Sequence, residues 1–141
     1  MVLNGAYEFA GSDESECQRL ISHTLQKMHF KNIDFKGSYS IINEKLEIAY
    51  EIGQNFNGYI NIALVQNEAS IKINRGENSG RVIEYSNIVR EFKQIECRDD
   101  NKGHLQIEQP EDLTEANLTV FIYLQNKIDM KIIAITKASL I

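Results

Sequence analysis

From Leu46 to Ile52 the chain reads "LEIAYEI", so that Leu46, Ile48, Tyr50 and Ile52 alternate with Glu47, Ala49 and Glu51. A period of two sends the first set to one face of a pleated strand and the second to the other, which leaves one side to be covered by something else. The same apolar spacing returns in Ile60, Ile62 and Leu64, after an expected turn at Asn57-Gly58, and in Ile71 with Ile73 after another break. Near the end, "LTVFIYLQ" and "MKIIAITKA" flank the polar "NKID" and read as a hairpin. Short strands with frequent turn signals predict an antiparallel β-sandwich. The aromatics Tyr50, Phe56, Tyr59, Phe92, Phe121 and Tyr123 are expected in its core or at the core's edge. A chain of 141 residues is long enough to bury such a core without metals or disulfides.

Before this half lies a different pattern. "MVLNGAYEFAGS" reads as a hairpin, because Asn4-Gly5 is the pair that best tolerates the positive φ angles of a two-residue turn. Cys17, Leu20, Ile21, Thr24, Leu25 and Met28 then recur at steps of three and four, one apolar stripe of a helix. Ser12 or Asp13 can cap that helix, and Glu16 stands where a capping box needs it. The expected class is α+β, mainly β: an N-terminal β-hairpin and one amphipathic helix packed on the sandwich, with residues 1–30 as one unit and 31–141 as the other. In "YSNIVREFKQIEC" the apolar spacing also suits a helix, but a strand with a bulge fits its neighbours better.

Several functions are disfavoured by composition and motif. The net charge of −5 offers no broad basic field to a nucleic-acid backbone, and no apolar run approaches the length of a membrane span. Strand-like and turn residues follow Met1 directly, without a basic region and apolar stretch, so no export signal is expected in this stretch. Cys17 and Cys97 form no C-x-x-C, and His23, His29 and His104 lack the close spacing of a zinc set; the histidines are expected on the solvent side of the helix and at a strand end. "RDDNKGH", with Asp99, Asn101 and Gly103 at alternate positions, lacks the later glutamate of a calcium loop and reads as a tight surface turn. Glu111, Asp112 and Glu115 surround Pro110 in an acidic connector expected to be solvated. No nucleophile elbow, zinc-hydrolase helix or phosphate loop is present, so no catalytic residue, metal or cofactor is assigned.

One polar motif stands out. In "INRGENSGRVIEY", residues 73–85, Gly76 and Gly80 permit a sharp turn with exposed amides. Arg75, Asn78 and Arg81, with Arg90 further on, are a candidate grip for a carboxylate or phosphate. The plainer reading is a turn in which Glu77 neutralises an arginine and Asn78 caps the backbone.

Two separated stretches, "MVLNGAYEFAGSDES" and "RGENSGRVIEYSNIVREF", resemble a family of exported bacterial proteins of unknown function. The match lies in Gly76, Glu77, Asn78, Gly80 and Arg81, then Asn87, Val89 and Arg90. The resemblance implies a thioredoxin-like first part carrying C-x-x-C, followed by a β-rich part. This chain corresponds to the latter portion, with residues 1–30 as the hairpin and helix of the thioredoxin-like unit. Tyr85 stands where the resemblance implies histidine. The expectation is a non-catalytic binding or assembly module, meeting a protein partner or a second copy through the N-terminal hairpin and helix. The alternatives are an accessory part of a thiol-disulfide system and a small-anion site at the RGENSGR loop.

Overall fold

Asn4 and Gly5 take φ of 51° and 68°, the pair of positive angles a tight hairpin turn needs. They join β1 (Val2–Leu3) to β2 (Tyr7–Glu8), which pair antiparallel. The structure is a computed structural model that describes residues 1–27 and 33–141. Met28, His29 and the expected boundary near residue 30 lie outside the described residues.

The hairpin turn does more than reverse the chain. The Ile132 N–H donates to the Asn4 carbonyl at 3.0 Å, and a Cβ at Gly5 would collide with the Met130 carbonyl. Glycine is therefore required here by both its backbone angle and the closeness of its neighbour.

Helix α1 covers Glu14–Lys27. The Asp13 carboxylate accepts the Glu16 N–H at 2.9 Å, as a cap should. The reciprocal half of a capping box does not form: Glu16 turns its carboxylate to Arg19, and the Asp13 N–H goes to the Ala10 carbonyl. Leu20 and Thr24 of the apolar stripe are buried and Cys17 is half-buried, whereas Ile21 and Leu25 stay 41% and 62% exposed. His23 is half-buried, contrary to its expected solvent position, because its ring meets Tyr7 edge-on with centroids 6.3 Å apart.

The rest of the described chain is one six-stranded sheet. Strand β3 (Phe35–Ile42) turns through Asn43 and Glu44, again both at positive φ, into β4 (Lys45–Lys72). Strand β4 is 28 residues long and β5 (Val82–Glu108) is 27, and they pair antiparallel almost throughout. A 3-10 turn at Glu115–Asn117 leads into β6 (Leu118–Gln125), followed by β7 (Ile132–Lys137) and β8 (Ser139–Leu140). Strand β3 lies beside the first half of β4 and β6 beside the second, while β5 follows the opposite edge. The register shifts between Glu51 and Phe56 bend β4, so the sheet curls and sets its two halves face to face. Ile122 of β6 then lies against Gly37 of β3. Leu46, Ile48, Ile52, Ile60, Ile62, Leu64, Val120 and Leu124 fill the interior at 1% exposure or less. The layered antiparallel core thus comes from one folded sheet, closed by the short parallel pair β3–β8.

Several expected turns are strand. Asn57 and Gly58 lie inside β4: a Cβ at Gly58 would strike the Phe56 ring and the Gln125 carbonyl, so this glycine makes room for packing. No break precedes Ile71 either. "RDDNKGH" is an irregular passage within β5, with Asp99 at φ 60°; Gly103 lacks a side chain because the Tyr50 ring from β4 occupies that space. His104 pairs with Ala49 inside the strand, not at its end. The ambiguous segment at 86–97 is strand with a bulge. Val65 pairs with Val89 but Leu64 with Glu91, so Arg90 is the extra residue, and Val89 and Phe92 share a face three positions apart.

Beside this bend, Glu96 accepts from Arg98 at 2.9 Å and from Lys127. These two hydrogen bonds, Arg98's first, pull its carboxyl from 4.5 to about 2. The folded state thus holds the carboxylate more tightly than the unfolded chain does. Stability from this group is expected in full above about pH 4.5 and to fade as pH falls toward 2. Denaturant titrations at pH 6 and pH 3 should show a smaller loss in Glu96→Gln than in the wild type.

Candidate functional site

Strand β6 pairs with β4 only as far as Gln66↔Leu118. Beyond that point β4 and β5 continue as a two-stranded arm, Glu68↔Ser86 to Lys72↔Val82, tipped by the loop 73–81. The loop closes through main-chain bonds: Ile73 N–H to Arg81 O, Gly80 N–H to Ile73 O, Ser79 N–H to Gly76 O and Arg81 N–H to Asn78 O, at 2.8 to 3.1 Å. Gly76 and Gly80 take φ of 86° and 88°, with open space where a Cβ would point. Backbone angle alone calls for glycine at both.

Arg75, Asn78 and Arg81 are exposed on this tip. Among the described residues neither arginine has an ion-pair partner, so Glu77 does not neutralise one as the plainer reading supposed. Arg90 is not with them. It lies nine positions along β5 from Arg81, roughly 30 Å at the strand rise. From the bulge it donates to Gln66 Oε1 at 2.5 Å and to both Asp112 oxygens at 2.7 and 3.0 Å. That hydrogen bonding holds the Asp112 carboxyl below its ordinary value. Arg90 therefore ties the β5 bulge to the acidic connector, and the loop's three polar residues stand without it.

At the base of the arm lies a groove of about 680 Å³, lined by Glu68, Ser70, Glu84, Tyr85, Ser86 and Asn117. The Asn117 side chain accepts from the Glu68 N–H at 2.9 Å and donates to the Glu68 carbonyl at 2.8 Å. It thus substitutes for one more residue of β6 on the β4 edge. These groove residues carry no motif. Their one sequence signal is the alternation Ala69, Ile71, Ile73 opposite Ile83 and Tyr85, apolar where the strand outruns its neighbour. A second groove of about 590 Å³ crosses β3, β4 and β5, walled by Lys36, Ser38, Glu51, Lys102 and His104.

The outer face of the sheet is apolar too. Phe92 and Tyr123 sit with centroids 6.5 Å apart beside buried Ala63 and Val65, while Val89 is 55% exposed. Beneath them Asn61 is fully buried, donating to Gln125 and accepting from Gln94.

The thiols are separate and free. Cys97 is buried and donates to the Phe56 and Asp100 carbonyls, and burial raises its pKa, which suppresses the thiolate. Among the described residues no three His, Cys, Asp or Glu side chains gather as a metal set, and no helix is long and apolar enough to cross a membrane.

The fold is therefore a mainly β module with one half-covered helix and a projecting two-stranded arm. The chain belongs to the family described as protein of unknown function (DUF1223), whose model matches residues 1–125. No curated protein matches the sequence. The chain is similar in fold to the crystal structure of protein AGR_C_4864 from Agrobacterium tumefaciens, with a TM-score of 0.58 and 14% identity. That match covers 98% of this chain and 60% of the Agrobacterium chain, so this sequence spans three-fifths of the length of its structural relative.

Proposed function

We propose that the chain is a non-catalytic assembly module of an exported protein, docking through the N-terminal hairpin and α1 onto a thioredoxin-like unit. The observation that carries this is the half-covered stripe: Ile21 and Leu25 are exposed beside buried Leu20. Buried His23 Nδ1 and Thr24 Oγ1 also lack hydrogen-bond partners on the same helix. The greater length of the structural relative is consistent with further sequence covering such a face. In this reading residues 1–30 belong to the docking unit and 31–141 to the β unit. Any thiol chemistry comes from the partner, since Cys97 is buried and α1 carries Cys17 within its length.

The test uses separately expressed thioredoxin-like parts of family members, titrated against this chain with amide exchange as the readout. Protection gained along α1, and lost in Leu25→Glu, supports the proposal. Failure of every such part to bind, or binding untouched by Leu25→Glu, rejects it.

A second reading has its own observation, the unpaired Arg75 and Arg81 at the loop 73–81 beside Asn78. If this tip holds small anions, phosphate or citrate raises the melting temperature and Arg81→Ala abolishes that rise, since a ligand bound only to the folded state stabilises it. An unchanged melting temperature across the anions rejects this reading.

A further inference from the structure

An open strand edge is an invitation to pair, and most proteins defend theirs. Among the described residues strand β5 pairs only with β4, which leaves its outer edge open. That edge is blunted: Arg90 bulges, Asn87 and Asp99 take positive φ, and Glu84, Lys93 and Arg98 are exposed along it. The opposite edge of the arm differs. From Gln66 to Lys72 the β4 register is regular. Because Ile73 bonds inward across the loop to Gly80 and Arg81, on the β5 side, and Glu68 bonds outward to Asn117, alternation directs the main-chain groups of Ser70 and Lys72 outward as well. Asn117 closes the edge at Glu68, and among the described residues nothing closes it at Ser70 and Lys72.

We propose that this edge pairs antiparallel with the same edge of a second copy, about a two-fold axis at Ile71. In that register Ser70 of each copy faces Lys72 of the other, and both exchange main-chain hydrogen bonds while the Asn117 clamp stays intact. Ile71 meets its twin as a non-hydrogen-bonded pair. The row Ile83, Ile71, Ile71, Ile83 then crosses four strands, covering side chains that are 54% and 38% exposed in one copy. Ala69 and Tyr85 of one copy come beside Ile73 of the other. On the opposite face Lys72 stands across small Ser70 from Glu84 and diagonal to both Glu68 and its own twin, so two acidic neighbours offset one like-charge diagonal while the apolar face is self-complementary. A shift of two residues toward Glu68 would require displacing Asn117, which selects the Ile71 axis. This interface uses none of the hairpin or helix residues, so it stands independently of the proposed docking there.

Light scattering from dilute to concentrated solution is expected to show a monomer–dimer equilibrium. Ile71→Lys should weaken it by about tenfold or more, the equivalent of about 1.4 kcal/mol. Ser70→Pro removes an N–H that alternation points away from β5 toward the open edge, and should abolish the dimer while leaving the melting temperature of the dilute monomer unchanged. In a Cys17→Ser background, Ile71→Cys should form a covalent dimer on mild oxidation, because such pairs hold Cα atoms about 4.5 Å apart, within disulfide reach. Lys72→Cys should not, since its twin lies two rows away. A monomer at every concentration overturns the proposal, as does a dimer that survives Ser70→Pro or one that crosslinks through Lys72→Cys in place of Ile71→Cys.

Discussion

Gly58→Ala is expected to lower the unfolding free energy by about 3 kcal/mol, read from denaturant titration. Its added methyl would approach the Phe56 ring and the Gln125 carbonyl at 2.4 and 2.6 Å, closer than a Cβ can come to either. Both neighbours are fixed. Phe56 is 6% exposed in the core, and Gln125 belongs to β6, directly paired with Tyr59. Overpacking of this kind costs roughly 1–3 kcal/mol, and more where backbone must move. Gly76→Ala makes the contrast. No atom lies within 4 Å of its would-be Cβ, so only the positive φ is strained, at about 1–2 kcal/mol. Equal costs at the two glycines would mean that Phe56 does not fold back over β4, and the bend of the sheet would lose its wedge.

Gly58 also shows where the sequence is legible and where it is not. Local signals read correctly when the chemistry they encode is local. Asn4-Gly5 gives the hairpin, Asp13 the helix cap, and Leu46 to Ile52 the alternation of a half-buried strand. Asn57-Gly58 carries the same turn vocabulary, yet its glycine answers a ring two residues away and a carbonyl from β6. Asn43-Glu44 makes the opposite point, a real turn at positive φ with a residue that seldom announces one. In β5 the extra residue Arg90 resets the alternation, so Val89 and Phe92 imitate helical spacing.

The candidate site divides the same way. The loop at 73–81 was visible from its two glycines, and Arg75, Asn78 and Arg81 do share it. Arg90 shares the residue type of Arg75 and Arg81 but not their place. Its partner is Asp112, which becomes a neighbour only when the connector crosses the sheet edge. The open β4 edge has no residue signature at all: it exists because β6 stops pairing at Leu118 and Asn117 covers a single residue more.

The closure of the curled sheet rests on the meeting of Gly37 and Ile122, and a double-mutant cycle there is expected to show strong coupling. Ile122 is fully buried, so Ile122→Ala should cost about 2–5 kcal/mol by removing apolar contact and leaving a cavity. Gly37→Ala errs in the other direction, because its Cβ would lie 2.7 Å from Ile122 Cδ1. Alone it should cost about 1–3 kcal/mol. Ile122→Val deletes that very Cδ1 atom at a cost of about 0.5–1.5 kcal/mol. The pair Gly37→Ala with Ile122→Val should therefore lose about 1 kcal/mol or more less than the two single changes added together, because the new methyl enters the space the old one leaves. Thr136 and Ala138, which also border Gly37 at 3.3 and 3.4 Å, limit how fully the swap compensates. Additive costs would show that β3 and β6 do not face each other across the core, and the six strands would then have to close by some other contact.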